Sequence, residues 1–189
     1  MTPFRAVLVD LDGTLADTAE ANYHAYSTAL TEHGGAVGRE AFDRIAHGRS
    51  WRQFLPELIA AQGLSADPAV IAGRKAELYA TMMDRIRIND PLRRLITAMR
   101  ATCQTALVTT ASKSNAGNII RHHGLAPLFD IQVTGDDVQR HKPDPEAYQM
   151  AAGMLGVSPE QCLVFEDSDI GVASATAFGA AVVRISFGE

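Results

Sequence analysis

The chain has 189 residues, and no stretch of it approaches the roughly 18 consecutive apolar residues that a membrane-spanning helix requires. Its first residues, Met1-Thr-Pro-Phe-Arg, lead directly toward a strand and carry no signal-peptide pattern, so the expected location is cytoplasmic. It has only two cysteines, Cys103 and Cys162. They form no metal-binding spacing. Each opens an apolar run, so both are expected as buried residues of strands rather than as a disulfide. Blocks of positive charge are also missing. The 17 Lys and Arg are dispersed against 22 Asp and Glu, for a formal net charge of -5. That balance excludes nucleic acid and an anionic membrane as main partners. It does not exclude a small phosphorylated substrate, which needs only a few well-placed cations. No internal repeat or low-complexity tract is present. Nothing sets an oligomeric state, and a monomer is the working expectation.

The composition is 47% apolar, enough for a sizeable core, and the length suits one domain or a core with a small second one. Short apolar runs bounded by turn signals read as buried strands at 4–9, 105–108, 131–133, 163–165 and 180–185. Helical patterns lie between them at 91–100, 115–123, 145–155 and 170–178. Gly124, Gly156 and Gly179 stand where helices end. Alternating strands and helices predict an α/β fold with a parallel sheet covered on both faces. The segment 16–88 interrupts the alternation. It shows no convincing strand and reads as helices over 18–33, 39–46, 51–62 and 68–87. The expected organisation is a Rossmann-like core of residues 1–15 and 89–189, split by a helical cap of residues 16–88.

The strongest chemical signal is Asp10-Leu11-Asp12-Gly13-Thr14, directly after the first strand. Four specified residues recur by chance on the order of 10⁻⁵ per position at about 5% usage each. Ligands in open parallel sheets bind at the carboxyl ends of strands, so both acids stand where a site belongs. Two such close charges are costly unless a cation or a shared proton relieves them, and a hard oxygen-seeking ion such as magnesium (Mg2+) does so. One carboxylate can attack phosphorus while the other protonates the leaving group and then activates water.

Three further elements end later strands. In Thr109-Thr110-Ala111-Ser112 a hydroxyl and successive backbone N–H groups can cradle phosphate, although such hydroxyls more often cap helices. Lys142, in His141-Lys142-Pro143-Asp144-Pro145, is held by two prolines and can offset charge on a transferring phosphoryl group; an isolated lysine would otherwise be surface. Glu166-Asp167-Ser168 supplies a second acid pair for magnesium, or caps the next helix through Asp167 or Ser168.

In this order the four elements resemble the haloacid dehalogenase superfamily, over nearly the whole chain and closest to its β-phosphoglucomutase and sugar-phosphatase branch. The matching pattern is Asp10-x-Asp12-Gly-Thr with the later Asp17, then Thr110 (or Thr109), then Lys142 before Pro-x-Pro, then Glu166-Asp167-Ser168 with Gly171. The resemblance implies a magnesium-dependent phosphatase acting on a sugar or polyol phosphate. It implies Asp10 as nucleophile forming an aspartyl-phosphate and Asp12 as general acid, then base. Magnesium would be held by Asp10, the Asp12 main-chain carbonyl and Asp167, with Glu166 direct or through water. Thr110, Ala111, Ser112 and Lys142 would bind the phosphate, and Arg49, Arg52 and Lys75 of the cap would contact the substrate. The alternative is a phosphosugar mutase. Against it, Trp51 stands where mutases carry a cap arginine, and Asn22 stands where they carry a histidine. The sequence also stops just after a core strand, which leaves open a smaller core, an exposed sheet edge or a truncated sequence. From a different class, a non-catalytic binding module that kept the fold would lack turnover and magnesium binding.

Overall fold

The computed structural model describes residues 3–187. A parallel sheet of five strands forms the centre: β1 (Ala6–Val9), β4 (Gln104–Val108), β5 (Ile131–Val133), β6 (Cys162–Glu166) and β7 (Ala181–Arg184), in the order β5-β4-β1-β6-β7. Every side chain of β1 is buried, as its unbroken Ala-Val-Leu-Val run requires of a strand covered on both faces. Its register sets Val9 beside Leu107 of β4 and Phe165 of β6. Alternation then sorts the side chains into two layers. Val7 and Val9 pack with Leu92 and Ile96 of α5 (Asp90–Met99) and Ile119 of α6 (Lys113–His122). Ala6 and Leu8 pack with Tyr148 and Ala151 of α7 (Glu146–Leu155) and Ala175 of α8 (Asp169–Phe178).

The helical insertion follows β1. It contains α1 (Ala19–Thr31), α2 (Arg39–Ala46), α3 (Trp51–Ala61) and α4 (Pro68–Ala80). Ser50 and Gln53 form a capping box at the start of α3. Asp67 caps α4, where Pro68 takes the first turn and loses no helical hydrogen bond. The insertion has a core of its own, in which Tyr26 meets Phe54 edge-on at 5.2 Å and Phe54 meets Phe42 at 6.0 Å.

Three local expectations need correction. The segment 16–88 does contain strands: β2 (Ala16–Asp17) and β3 (Arg87–Ile88) pair antiparallel where the chain leaves and rejoins the sheet region. Two residues per strand are too few to show a period. Asp17 pairs with Arg87 across this ribbon at 2.5 Å and takes no part in the acid cluster described below. The fourth insertion helix stops at Ala80 rather than Arg87. Thr81 turns its hydroxyl onto the Leu78 carbonyl (2.7 Å), and Met83 then drops into the main core. Cys103 precedes its strand and is only half-buried, whereas Cys162 is a buried strand residue; both are free thiols.

At the sheet edge, β7 leaves Val183 exposed. Among the described residues no helix is long and apolar enough to cross a membrane. Leu107 lies fully buried in the central sheet. Leu107→Ala should therefore cost about 2–5 kcal/mol, read as a lower urea midpoint; a loss under about 1 kcal/mol would contradict this packing.

Candidate active site

The strand order reverses around β1, since successive connections run first to β4 and β5, then to β6 and β7. A crevice opens at such a point, at the carboxyl ends of the strands. Asp10 is the first residue past β1, and its N–H still donates to Phe165 O of β6 (3.0 Å). Lys142 reaches the same point from the loop before α7. Its Nζ donates to Asp10 Oδ1 (2.8 Å), Glu166 Oε1 (2.6 Å) and Val108 O (3.0 Å). Three acceptors satisfy all three ammonium protons, which is the condition for burying the charge.

Glu166 ends β6 and is equally well provided. Its Oε1 also accepts from the Tyr148 hydroxyl (3.0 Å), and its Oε2 accepts from Asp167 N, Ser168 N and Ser168 Oγ (3.0, 3.3 and 3.3 Å). Burial acts to raise this carboxyl, but the Lys142 ammonium outweighs it and holds the group below its ordinary value. Asp10 goes the other way. Burial pushes it well above the usual carboxylate range; Lys142 opposes this, while Glu166 and Asp167 add to it. Burial and Glu166 raise Asp167 as well. The ammonium itself would lose its proton on burial, yet Asp10 and Glu166 hold it well above its ordinary value.

Oxygens of Asp10, Glu166 and Asp167 lie within 4.8 Å of one another. The Asp12 carboxylate is outside that group. It faces the insertion, accepting from Thr18 Oγ1 (2.5 Å) and Asn22 Nδ2 (3.2 Å). The expectation of Asp12 as a metal ligand thus rests on its main-chain oxygen, which accepts no hydrogen bond from the described residues. Gly13 turns the chain there with φ +88, and the Asp167 carboxylate fills the space a side chain would take.

Thr110, Ala111 and Ser112 line the crevice opposite Asp10. Thr109 does not: it is buried, and its hydroxyl accepts from Ala111 N (3.0 Å) and donates to Asp12 Oδ2 from the sheet side (3.5 Å). Ser112 also caps α6, accepting from Asn115 N (3.3 Å). The cleft measures about 170 Å³, opens to solvent on one side and is walled by both the sheet and the insertion.

Residues 4–179 match the family described as haloacid dehalogenase-like hydrolase. The chain belongs to this family. Among its relatives is the fructose-1-phosphate phosphatase YqaB of Escherichia coli, 29% identical over 182 residues that make up 96% of each chain. Hexitol phosphatase A of the same organism is 32% identical over 183 residues, 96% of this chain and 83% of that protein. The solved structure of a CbbY variant from Rhodobacter sphaeroides in complex with xylulose 1,5-bisphosphate superposes with a TM-score of 0.90 at 26% identity, covering 98% of this chain and 87% of that one.

The insertion residues of this hydrolase divide sharply. Lys75, on α4, is 3% exposed and lines the cleft, with Nζ 3.7 Å from the Tyr79 ring centroid and 5.0 Å from that of Tyr26. Burial lowers it to about 7, against the pull of Asp12. Arg49 lines the cleft, but Glu57 holds its guanidinium by two hydrogen bonds (3.0 and 2.6 Å). Arg52 is not in the cleft, contrary to expectation. It lies over the Trp51 ring at 4.6 Å and pairs with Asp136, in the loop after β5, at 3.0 Å. The repeated Arg pattern around Ser50 therefore marks a contact between insertion and sheet as much as a binding surface.

Two residues of the hydrolase's site carried no sequence signal. Tyr148 sits among the apolar positions of α7 and reads as core. His47 follows α2 and reaches Asp167 Oδ2 at 3.4 Å. Gly171 is clearer in hindsight, because a Cβ there would overlap the Glu166 carboxylate. Gly171→Ala should destabilise the enzyme by about 1–3 kcal/mol through overpacking. Gly153→Ala, in a helix position with nothing within 4 Å, should stabilise it by about 0.5–1 kcal/mol. Thermal unfolding of both variants checks the pair, and equal effects would refute the close approach.

Proposed function

We propose that this phosphoric monoester hydrolase cleaves monophosphates of small sugars or polyols through an aspartyl-phosphate on Asp10, with magnesium as cofactor. One observation carries the reading. At the crevice of the sheet, Asp10 keeps one oxygen on Lys142 and the other without a protein partner among the described residues, beside the carboxylates of Glu166 and Asp167 and two residues before that of Asp12. The phosphatase activities of the two curated relatives point the same way.

The donor set suits a hard dication, since it is made entirely of oxygen. Burial and mutual repulsion raise Asp10 and Asp167, and a dication relieves that crowding. Asp10, Asp167 and the Asp12 main-chain oxygen would hold it directly. Glu166, with both oxygens engaged, would act through water and through Lys142. Bound there, the ion would neutralise charge on the phosphoryl oxygens.

The protein's own groups account for the rest. Asp10 attacks phosphorus with its free oxygen. Lys142 and the N–H groups of Thr110 and Ser112 stabilise the charge that spreads over the transferring group. Asp12, held by Thr18 and Asn22, gives its proton to the departing alkoxide and then takes one from the water that cleaves the aspartyl-phosphate. The insertion serves as a cap that closes the site, turning on the β2–β3 ribbon, where Asn89 N donates to Leu15 O (2.9 Å). Nothing at the site favours a mutase: Asn22 is an amide that carries no titrating proton, and His24 pairs with Glu20 on the exposed side of α1 (2.7 Å).

A panel of sugar, polyol and glycolyl phosphates, assayed with magnesium and with chelator, tests the reading. Asp10→Asn should lower turnover on the order of 10³-fold or more; wild-type rates in that variant would sink the mechanism. Independently of turnover, magnesium at a hundred times its Kd should add about 2.7 kcal/mol of stability, or roughly 5–10 °C in Tm. Asp167→Asn should abolish most of that shift.

A further inference from the structure

Two buried polar atoms in the cleft wall have no hydrogen-bond partner. One is the hydroxyl of Tyr79, a residue 1% exposed on α4 of the insertion. It lies beside Thr18 and Asp12 without forming a well-directed bond to either. The other is Oδ1 of Asn115, in the first turn of α6, on the sheet side. Helices α4 and α6 pack against each other, so the two residues reach the cleft from the two sides of one junction. Unsatisfied buried polar groups are costly, and they recover that cost when a ligand supplies the missing partner. Both of these groups are neutral, and both suit a hydroxyl: Asn115 Oδ1 accepts, and Tyr79 can donate or accept.

The charges around the cleft run against a second phosphate. Recognition of a phosphate dianion wants several free N–H donors, typically a forked arginine. Here Glu57 occupies Arg49, Asp136 holds Arg52 outside the cleft, and Lys142 has no proton to spare. Of the lysines and arginines among the described residues that line the cleft, Lys75 alone remains, seated on the Tyr79 ring with the Asp12 carboxylate nearby. Trp51 gives the cleft an apolar face of the kind that packs against the C–H side of a sugar or polyol.

Resting on the phosphatase reading above, we propose that the cleft selects an uncharged, hydroxyl-bearing leaving group, with the Tyr79 hydroxyl and Asn115 Oδ1 as its hydrogen-bonding contacts, and takes a monophosphate ahead of the matching bisphosphate. In this the chain differs from CbbY, whose solved complex holds a sugar bisphosphate. Tyr79 and Asn115 become specificity residues of the same site.

The test compares kcat/KM for three esters: the best sugar or polyol monophosphate of the panel, the bisphosphate of the same sugar, and p-nitrophenyl phosphate, which has no hydroxyl. The wild type should prefer the monophosphate to the bisphosphate at least tenfold. Tyr79→Phe and Asn115→Leu should each lower the ratio of monophosphate to p-nitrophenyl phosphate at least tenfold. Equal losses on both esters would reduce the two residues to structural parts, and preference for the bisphosphate would overturn the charge argument. Turnover of p-nitrophenyl phosphate with no hydroxylated monophosphate exceeding it sinks this inference and leaves the phosphatase reading standing. No turnover of any ester removes both.

Discussion

One buried ammonium organises this molecule. Lys142 Nζ touches the residue after β1, the last residue of β6 and a carbonyl at the end of β4, so a single charge ties together three adjacent strands at their carboxyl ends. A charge at that depth survives only with every proton placed. The surrounding choices follow from this demand. Glu166 must be ionised and immobile, so Tyr148, Ser168 and two backbone N–H groups hold it. Residue 171 must lack a side chain so that the Glu166 carboxylate has room. What resembles a set of independent motifs along the chain is one electrostatic arrangement reached from four strand ends.

The insertion is joined to the same arrangement. Gln53 Nε2 donates to the main-chain oxygen of Lys142 (3.4 Å), Arg52 pairs with Asp136, and His47 approaches Asp167. The last two contacts are exposed on at least one side and individually weak. That suits a segment whose proposed work is to open and close. A strong, dry interface would hold substrate in and product with it, whereas contacts of this kind bias the closed state without locking it.

The parts legible in the sequence are those where local chemistry and topology coincide. An apolar run ending in Asp10-x-Asp12-Gly gives strand, turn and acids together, and Glu166-Asp167-Ser168 does the same with a helix cap added. The illegible parts depend on where a side chain points after folding. Arg49 and Arg52 read as two free cations near a loop, yet Glu57 and Asp136 occupy both. Lys75 reads as a cap residue that contacts substrate, but its burial on a tyrosine ring is invisible in the sequence, because it follows from α4 turning that face toward α1 and the cleft. The β2–β3 ribbon is too short for any periodic signal. Asp17, which follows the first motif in the pattern, serves that ribbon and pairs with Arg87.

The charge count at the centre constrains the chemistry more than any single residue does. Asp10, Glu166 and Asp167 bring three formal negative charges within 4.8 Å, and Lys142 returns one positive, leaving two uncompensated. Without a further cation the crevice resolves the imbalance by protonation, which is the direction in which burial drives Asp10 and Asp167. A protonated Asp10 is no nucleophile. The complement that would restore both neutrality and an ionised Asp10 is a dication held through oxygen by this carboxylate group. The same requirement favours a dianionic phosphate ester only when the dication comes with it. On the proposed reading, metal and substrate would be coupled by charge: with a dication in place the ester's two negative charges would enter a neutral crevice, whereas without it they would meet two uncompensated ones.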